Sequence, residues 1–129
     1  MNRIDKSSKP QVKGLRRLIR ATRYSWQGLL ATAKHEEAFR QELLFLSVAL
    51  LATPWLAQSW FHAIALIGSV ILILIVELLN SAIEALVDRV GLEFNELSGR
   101  AKDMGSAAVF LSITLASMIW IVSLVQRLW

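Results

Sequence analysis

The sequence contains no cysteine, so no disulfide framework holds it together and either redox compartment is open to it. It has no Gly-x-x-x-x-Gly-Lys-Ser/Thr loop, no Gly-x-Gly-x-x-Gly run and none of the soluble protein-kinase signatures, so any nucleotide has to be held in another way. Charge is also scarce. Only 19% of the 129 residues are charged and 55% are hydrophobic, with a positive mean hydropathy, a composition foreign to a soluble domain. No short apolar stretch with a small-residue cleavage site follows the early basic region, so no N-terminal signal peptide is expected. The length allows a single domain.

What is present is apolar sequence gathered into three segments. A bilayer core about 30 Å thick needs about 20 helical residues. Met104 to Val125 contains no ionisable side chain and covers about 33 Å at helical rise. Trp60 to Val76 is uncharged and continues in helical character through Glu77, Asn80 and Glu84 towards Asp88. Leu43 to Ala57 is apolar, begins behind Ala38, Phe39 and Glu42, and carries Pro54 near its end, where a lost backbone donor costs least. The expected fold is all-α: transmembrane helices at 38–57, 60–86 and 104–126, a tight hairpin at Gln58 and Ser59, an N-terminal amphipathic surface helix at 15–34, and a disordered lead-in at 1–13.

Eight basic residues, from Arg3 to Arg23, precede the first span, none lies in the hairpin, and Arg89, Arg100 and Lys102 lie between the second and third spans. The positive-inside rule then places the N-terminus and the 89–103 loop in the cytoplasm and the C-terminus in the periplasm. The net charge of +4 does not point to nucleic acid, because its location has another explanation. Leu15, Leu18, Ile19, Thr22, Trp26, Leu29, Leu30 and Ala33 form one stripe at 3.6-residue spacing. Arg16, Arg17, Arg20, Arg23, Gln27 and Lys34 take the other side. Such a helix lies in the membrane plane with its arginines near anionic head groups; the plainer alternative is a basic topology signal. Trp26, Trp55, Trp60 and Trp129 fall near helix ends, as interfacial anchors do.

The strongest chemical signal is on the second span. Glu77, Asn80, Glu84 and Asp88 are spaced i, i+3, i+7 and i+11 and fall within an arc of roughly 80°. A charged side chain in the centre of a span costs about 2.5–3.5 kcal/mol on insertion scales. Glu77, about 26 Å along the helix from Trp60, is submerged near the cytoplasmic boundary. Glu84 lies about 10 Å further out, at head-group level. Glu36, Lys102 and Asp103 converge on the same layer. A deep carboxylate can meet a lipid hydroxyl, and a shallow pair can hold a divalent cation with a phosphorylated solute. Read as structure alone, Glu77 and Asn80 are interhelical glue, although two costly groups on one face exceed what glue requires. Asp88 reads as solvated and Glu42 as an interfacial charge near Arg40. His35 and His62 read as interfacial. Ala108, Ser112 and Ala116 form a small-residue seam on the third span that permits close helix approach.

The run from Glu77 through Asn80, Ser81 and Glu84 to Asp88 resembles the signature of the prokaryotic integral-membrane diacylglycerol kinases. Tyr24-Ser-Trp26, Glu36, Phe39-Arg40-Gln41-Glu42 and the stretch Glu96 to Ser106 agree with it in order and spacing, and the likeness runs from about Arg17 to the C-terminus. The resemblance implies a homotrimer in the bacterial inner membrane, with active sites shared between subunits, that moves the γ-phosphate of Mg-ATP onto the primary hydroxyl of diacylglycerol. It implies Glu77 as general base, Asn80 steadying the reacting groups, and Glu36 with Glu84 binding Mg2+. It further implies nucleotide contacts from Arg17, Tyr24, Glu36, Glu84, Glu93, Phe94, Asn95, Lys102 and Asp103, and lipid contacts from Arg17, Trp26, Arg40, Glu42, Glu77 and Ser106. The motif does not separate diacylglycerol from a polyprenol such as undecaprenol. A reading from another class is a non-enzymatic membrane subunit or a proton relay through Glu77.

Overall fold

The computed structural model describes residues 14–129, so the expected lead-in at 1–13 lies outside the described residues. The described elements are four helices, α1 (Leu15–His35), α2 (Glu37–Leu56), α3 (Trp60–Val90) and α4 (Glu96–Leu128). Two compact units divide the chain, one ending at Ala31 and one comprising Thr32–Trp129.

In the first unit, Gly14 adopts φ +73°, a left-handed conformation that favours glycine. Its carbonyl accepts from the N–H groups of Arg17 and Leu18 and so starts α1. The helix has no acidic residue in its first turn and ends on Lys34 and His35, basic groups that suit a helix C-terminus. Its residues through Ala31 are exposed, Leu18, Ile19 and Trp26 among them.

In the second unit α3 packs against both α2 and α4, which touch each other far less. Each start and stop has a local cause. Ser59 caps α3 by accepting from the His62 N–H at 3.1 Å. Asn95 caps α4 through Oδ1, which accepts from Leu97 N–H at 2.9 Å and Ser98 N–H at 3.1 Å, satisfying donors that the first turn leaves free. Pro54 sits two residues before the end of α2, where it removes one donor from the last turn of the helix. The hairpin comprises Ala57 to Ser59, one residue longer than expected.

Among the described residues, only α3 and α4 are both long and apolar enough to cross a membrane. The expectation of three such helices meets α2 with Glu37, Arg40, Gln41 and Glu42 in its first two turns, which dilute its apolar run. Most residues of the apolar stretches in α3 and α4 are not buried inside the chain, the reverse of a soluble core helix. α3 continues to Val90 and α4 begins at Glu96, so both extend as charged helix beyond the spans expected at 60–86 and 104–126.

The α3–α4 contact is polar as well as apolar. On α4 the buried seam is Gly105, Ser112, Ala116 and Ser123; Ala108, expected in it, is exposed, because the contact follows a seven-four-seven spacing. Trp120 Nε1 donates to the Leu66 carbonyl at 3.2 Å. His62, expected to be merely interfacial, ties the far end: its Nε2 meets Ser123 Oγ at 2.7 Å, and its Nδ1 accepts from the Gln58 N–H at 3.3 Å. The Arg127 guanidinium lies 5.4 Å from the centre of the Trp55 ring, within cation–π range.

Candidate active site

The acidic face of α3 becomes steadily more exposed along the helix. Glu77 and Asn80 are buried, at 5% and 9% exposure, Glu84 is half-buried, and Asp88 is exposed. Asn80 Nδ2 donates to Glu84 Oε1 at 3.2 Å. Asp88, expected to be simply solvated, accepts from Lys102 Nζ at 2.7 Å. Both of its partners are substantially exposed, so this pair adds little stability; its effect is to hold the start of α4 beside the exit of α3.

Glu42 departs from the sequence expectation. It is buried at 8% exposure instead of standing as an interfacial charge near Arg40. The Arg40 guanidinium turns to the Ala33 and Lys34 carbonyls, at 3.2 and 3.4 Å, where it satisfies acceptors left over at the end of α1. A usable signal was present, since Glu42 stands three residues after Phe39, a fully buried side chain, and therefore shares its face.

Glu42 and Glu77 line one cavity of about 440 Å³ between α2, α3 and α4. Gln41, Ser117 and the Trp120 indole also reach it, and the other lining residues are apolar or small, among them Phe45, Val70 and Ile113. The cavity is a polar end on an oily chamber. Trp120 was not singled out by sequence reasoning and nothing in the local pattern marks it, and Gln41 entered only as part of the Phe39-Arg40-Gln41-Glu42 stretch, with no role of its own.

Three buried polar atoms near the carboxylates lack a hydrogen-bond partner: Glu42 Oε2, Asn80 Oδ1 and Ser81 Oγ. An unsatisfied buried polar atom costs about 1–3 kcal/mol, so such atoms around Glu77 make this region a candidate for a bound partner. Glu36 is the N-cap residue of α2 but makes no side-chain cap hydrogen bond, which leaves its carboxylate free. Among the described residues, the sole ion pair is Lys102 with Asp88. The remaining carboxylates of this group have no ion-pair partner among the described residues.

The remaining expected positions are more dispersed. On α1, Arg17 and Tyr24 fall on the polar side and Trp26 within the apolar stripe. Glu93 and Phe94 are exposed in the α3–α4 loop, and Asn95 spends its carbonyl oxygen on the α4 cap. Asp103 and Ser106 are exposed on α4, and Ser106 does not line the cavity.

The sequence profile described as prokaryotic diacylglycerol kinase matches residues 23–124. The chain is 51% identical over 111 residues to a diacylglycerol kinase of Escherichia coli (strain K12), covering 86% of this chain and 91% of that one. It is 46% identical over 107 residues to a diacylglycerol kinase of Haemophilus influenzae, covering 83% and 91%. With one of Pseudomonas aeruginosa it shares 50% identity over 108 residues, covering 83% and 87%. The profile match takes in the whole of α2 and α3 and most of α4, including both buried carboxylates of the cavity, and the chain belongs to the prokaryotic diacylglycerol kinase family.

Proposed function

We propose that this ATP-dependent lipid kinase binds diacylglycerol with an acyl chain in the cavity and its primary hydroxyl at Glu77, and transfers the γ-phosphate of ATP to that hydroxyl, giving phosphatidate. The observation that carries the reading is the cavity itself: an apolar chamber of about 440 Å³ with Glu77 and Glu42 at its polar end. In the transfer, the hydroxyl oxygen bonds to the γ-phosphorus, the bond to the β–γ bridging oxygen breaks, ADP leaves, and the hydroxyl proton passes to the Glu77 carboxylate. Asn80 orients Glu84, and the bilayer confines the acceptor, which lowers the entropic cost of bringing it to the base.

Glu36 and Glu84 suit Mg2+. No group of three or more candidate metal ligands is present among the described residues, and Mg2+ is commonly held by one or two carboxylates with phosphate oxygens and water completing its shell. When bound, the ion neutralises charge on the transferring phosphate. Lys102, Asp103, Glu93, Phe94, Asn95, Arg17 and Tyr24 are the proposed nucleotide contacts, and Arg17, Trp26, Arg40, Glu42 and Ser106 those of the lipid.

We place the protein in the bacterial inner membrane with α2, α3 and α4 all crossing, α1 on the cytoplasmic surface, and three subunits sharing their sites. The abundant exposed apolar side chains, among them Leu51, Phe61 and Phe110, support both lipid and subunit contact. The test is phosphate incorporation from labelled ATP in mixed micelles, with diacylglycerol and undecaprenol as parallel acceptors. Incorporation into diacylglycerol supports the proposal. A strong preference for the polyprenol overturns the substrate assignment, and no incorporation into any lipid overturns the enzymatic one.

A further inference from the structure

Gly105 is buried on α4, and a Cβ placed on it would overlap Asn80 Oδ1 and lie 3.3 Å from Asn80 Cγ. Backbone freedom does not explain the glycine, because Gly105 has no positive φ. The space does. Gly68 and Gly99, also helical, would meet nothing within 4 Å. On its other side the Asn80 amide donates to Glu84 at 3.2 Å, while its oxygen is buried without a partner. The amide is therefore gripped between Glu84 and the bare Cα of Gly105, and rotating it away from a new methyl group would carry Nδ2 off Glu84.

We propose that Gly105 is a positioning residue of the phosphoryl-transfer site: its missing side chain is the room that the Asn80 amide occupies while it orients Glu84. The proposal rests on the assignment of Glu84 to the metal and nucleotide. It gives a helix–helix contact a catalytic consequence, because the approach of α4 to α3 sets the direction of a carboxylate on α3 that α4 never touches through hydrogen bonds of its own. Local helix preference runs the other way, since alanine is the better helix former. Loss of function in a well-folded Gly105→Ala variant thus separates positioning from folding.

The test compares Gly105→Ala, Asn80→Ala, the double variant and Gly68→Ala in full-length protein reconstituted with lipid. It reads Mg2+-dependent binding of a non-hydrolysable ATP analogue, kcat/KM with diacylglycerol, and helix content. Gly105→Ala is expected to weaken binding about tenfold, as loss of a supporting partner does at metal sites, and to lower kcat/KM on the order of 100-fold. Gly68→Ala should change neither. The double variant should be no worse than Asn80→Ala, because no amide is left to displace. If the losses multiply, or if Gly105→Ala behaves as wild type, the proposal is overturned. Should Gly105→Ala fail to fold, a double variant that folds and matches Asn80→Ala supports the proposal, and one that also fails overturns it. If Asn80→Ala leaves binding and turnover intact, the assignment of Asn80 and Glu84 to the site falls, and the proposal with it.

Discussion

Asn80 and Glu84 stand one turn apart on α3 and are joined by a hydrogen bond of 3.2 Å from Nδ2 to Oε1. The bond fixes one oxygen of Glu84 and leaves the other available to a cation. Glu84→Gln is therefore expected to weaken Mg2+-dependent nucleotide binding by about 10- to 100-fold, the usual range for disturbed metal sites. Titration of nucleotide binding against Mg2+ measures this, and an unchanged dependence on Mg2+ contradicts the assignment.

Glu77 is held to be the proton acceptor, and its role predicts a different pattern. Glu77→Gln should reduce turnover by about a thousandfold or more, within the range of general-base contributions, while nucleotide binding stays close to wild type. Single-turnover phosphate transfer and equilibrium binding separate the two. Equal loss in both would show that Glu77 holds nucleotide instead of taking a proton.

Glu42 predicts opposite effects on stability and activity. Its Oε2 is buried without a partner, so Glu42→Leu, which replaces it with an apolar side chain of similar size, should stabilise the fold by about 1–3 kcal/mol. The same change removes a polar group from the lipid cavity and should raise the apparent KM for diacylglycerol. Unfolding midpoints and lipid-dependent kinetics check the pair. A destabilised variant with normal lipid kinetics would mean that Glu42 is structural.

The far end of the bundle offers a control. His62 contacts Ser123 at 2.7 Å and lies about 23 Å along α3 from Glu77. His62→Phe should cost about 0.6 kcal/mol, the average for a hydrogen bond between helices in lipid, with kcat unchanged. A large fall in kcat would reveal coupling between the two ends.

Much of the site was legible because charge inside an apolar run is conspicuous. Glu77, Asn80 and Glu84 single themselves out by spacing alone, and in the structure exposure rises along α3 from Glu77 and Asn80 to Glu84. The misreadings share a cause: each depended on which partner a side chain finds across space. Arg40 sits two residues from Glu42 yet turns to carbonyls at the end of α1, leaving Glu42 to the cavity. Ala108 fits a four-residue repeat with Ser112 and Ala116, but the seam passes through Gly105 instead. His62 has no sequence neighbour that announces Ser123, 61 residues away. Helix ends were underestimated because charge, read as the end of a span, does not end a helix.

α4 runs without interruption from Glu96 to Leu128, about 50 Å at helical rise, well beyond the oily layer that we propose it crosses. A rod of that length has no hinge to absorb a change of tilt, so leaning of its embedded part swings Lys102 and Asp103 at the tip. Membrane thickness, which sets such leaning, would thereby become a mechanical input to the end of the protein where we propose that the nucleotide binds.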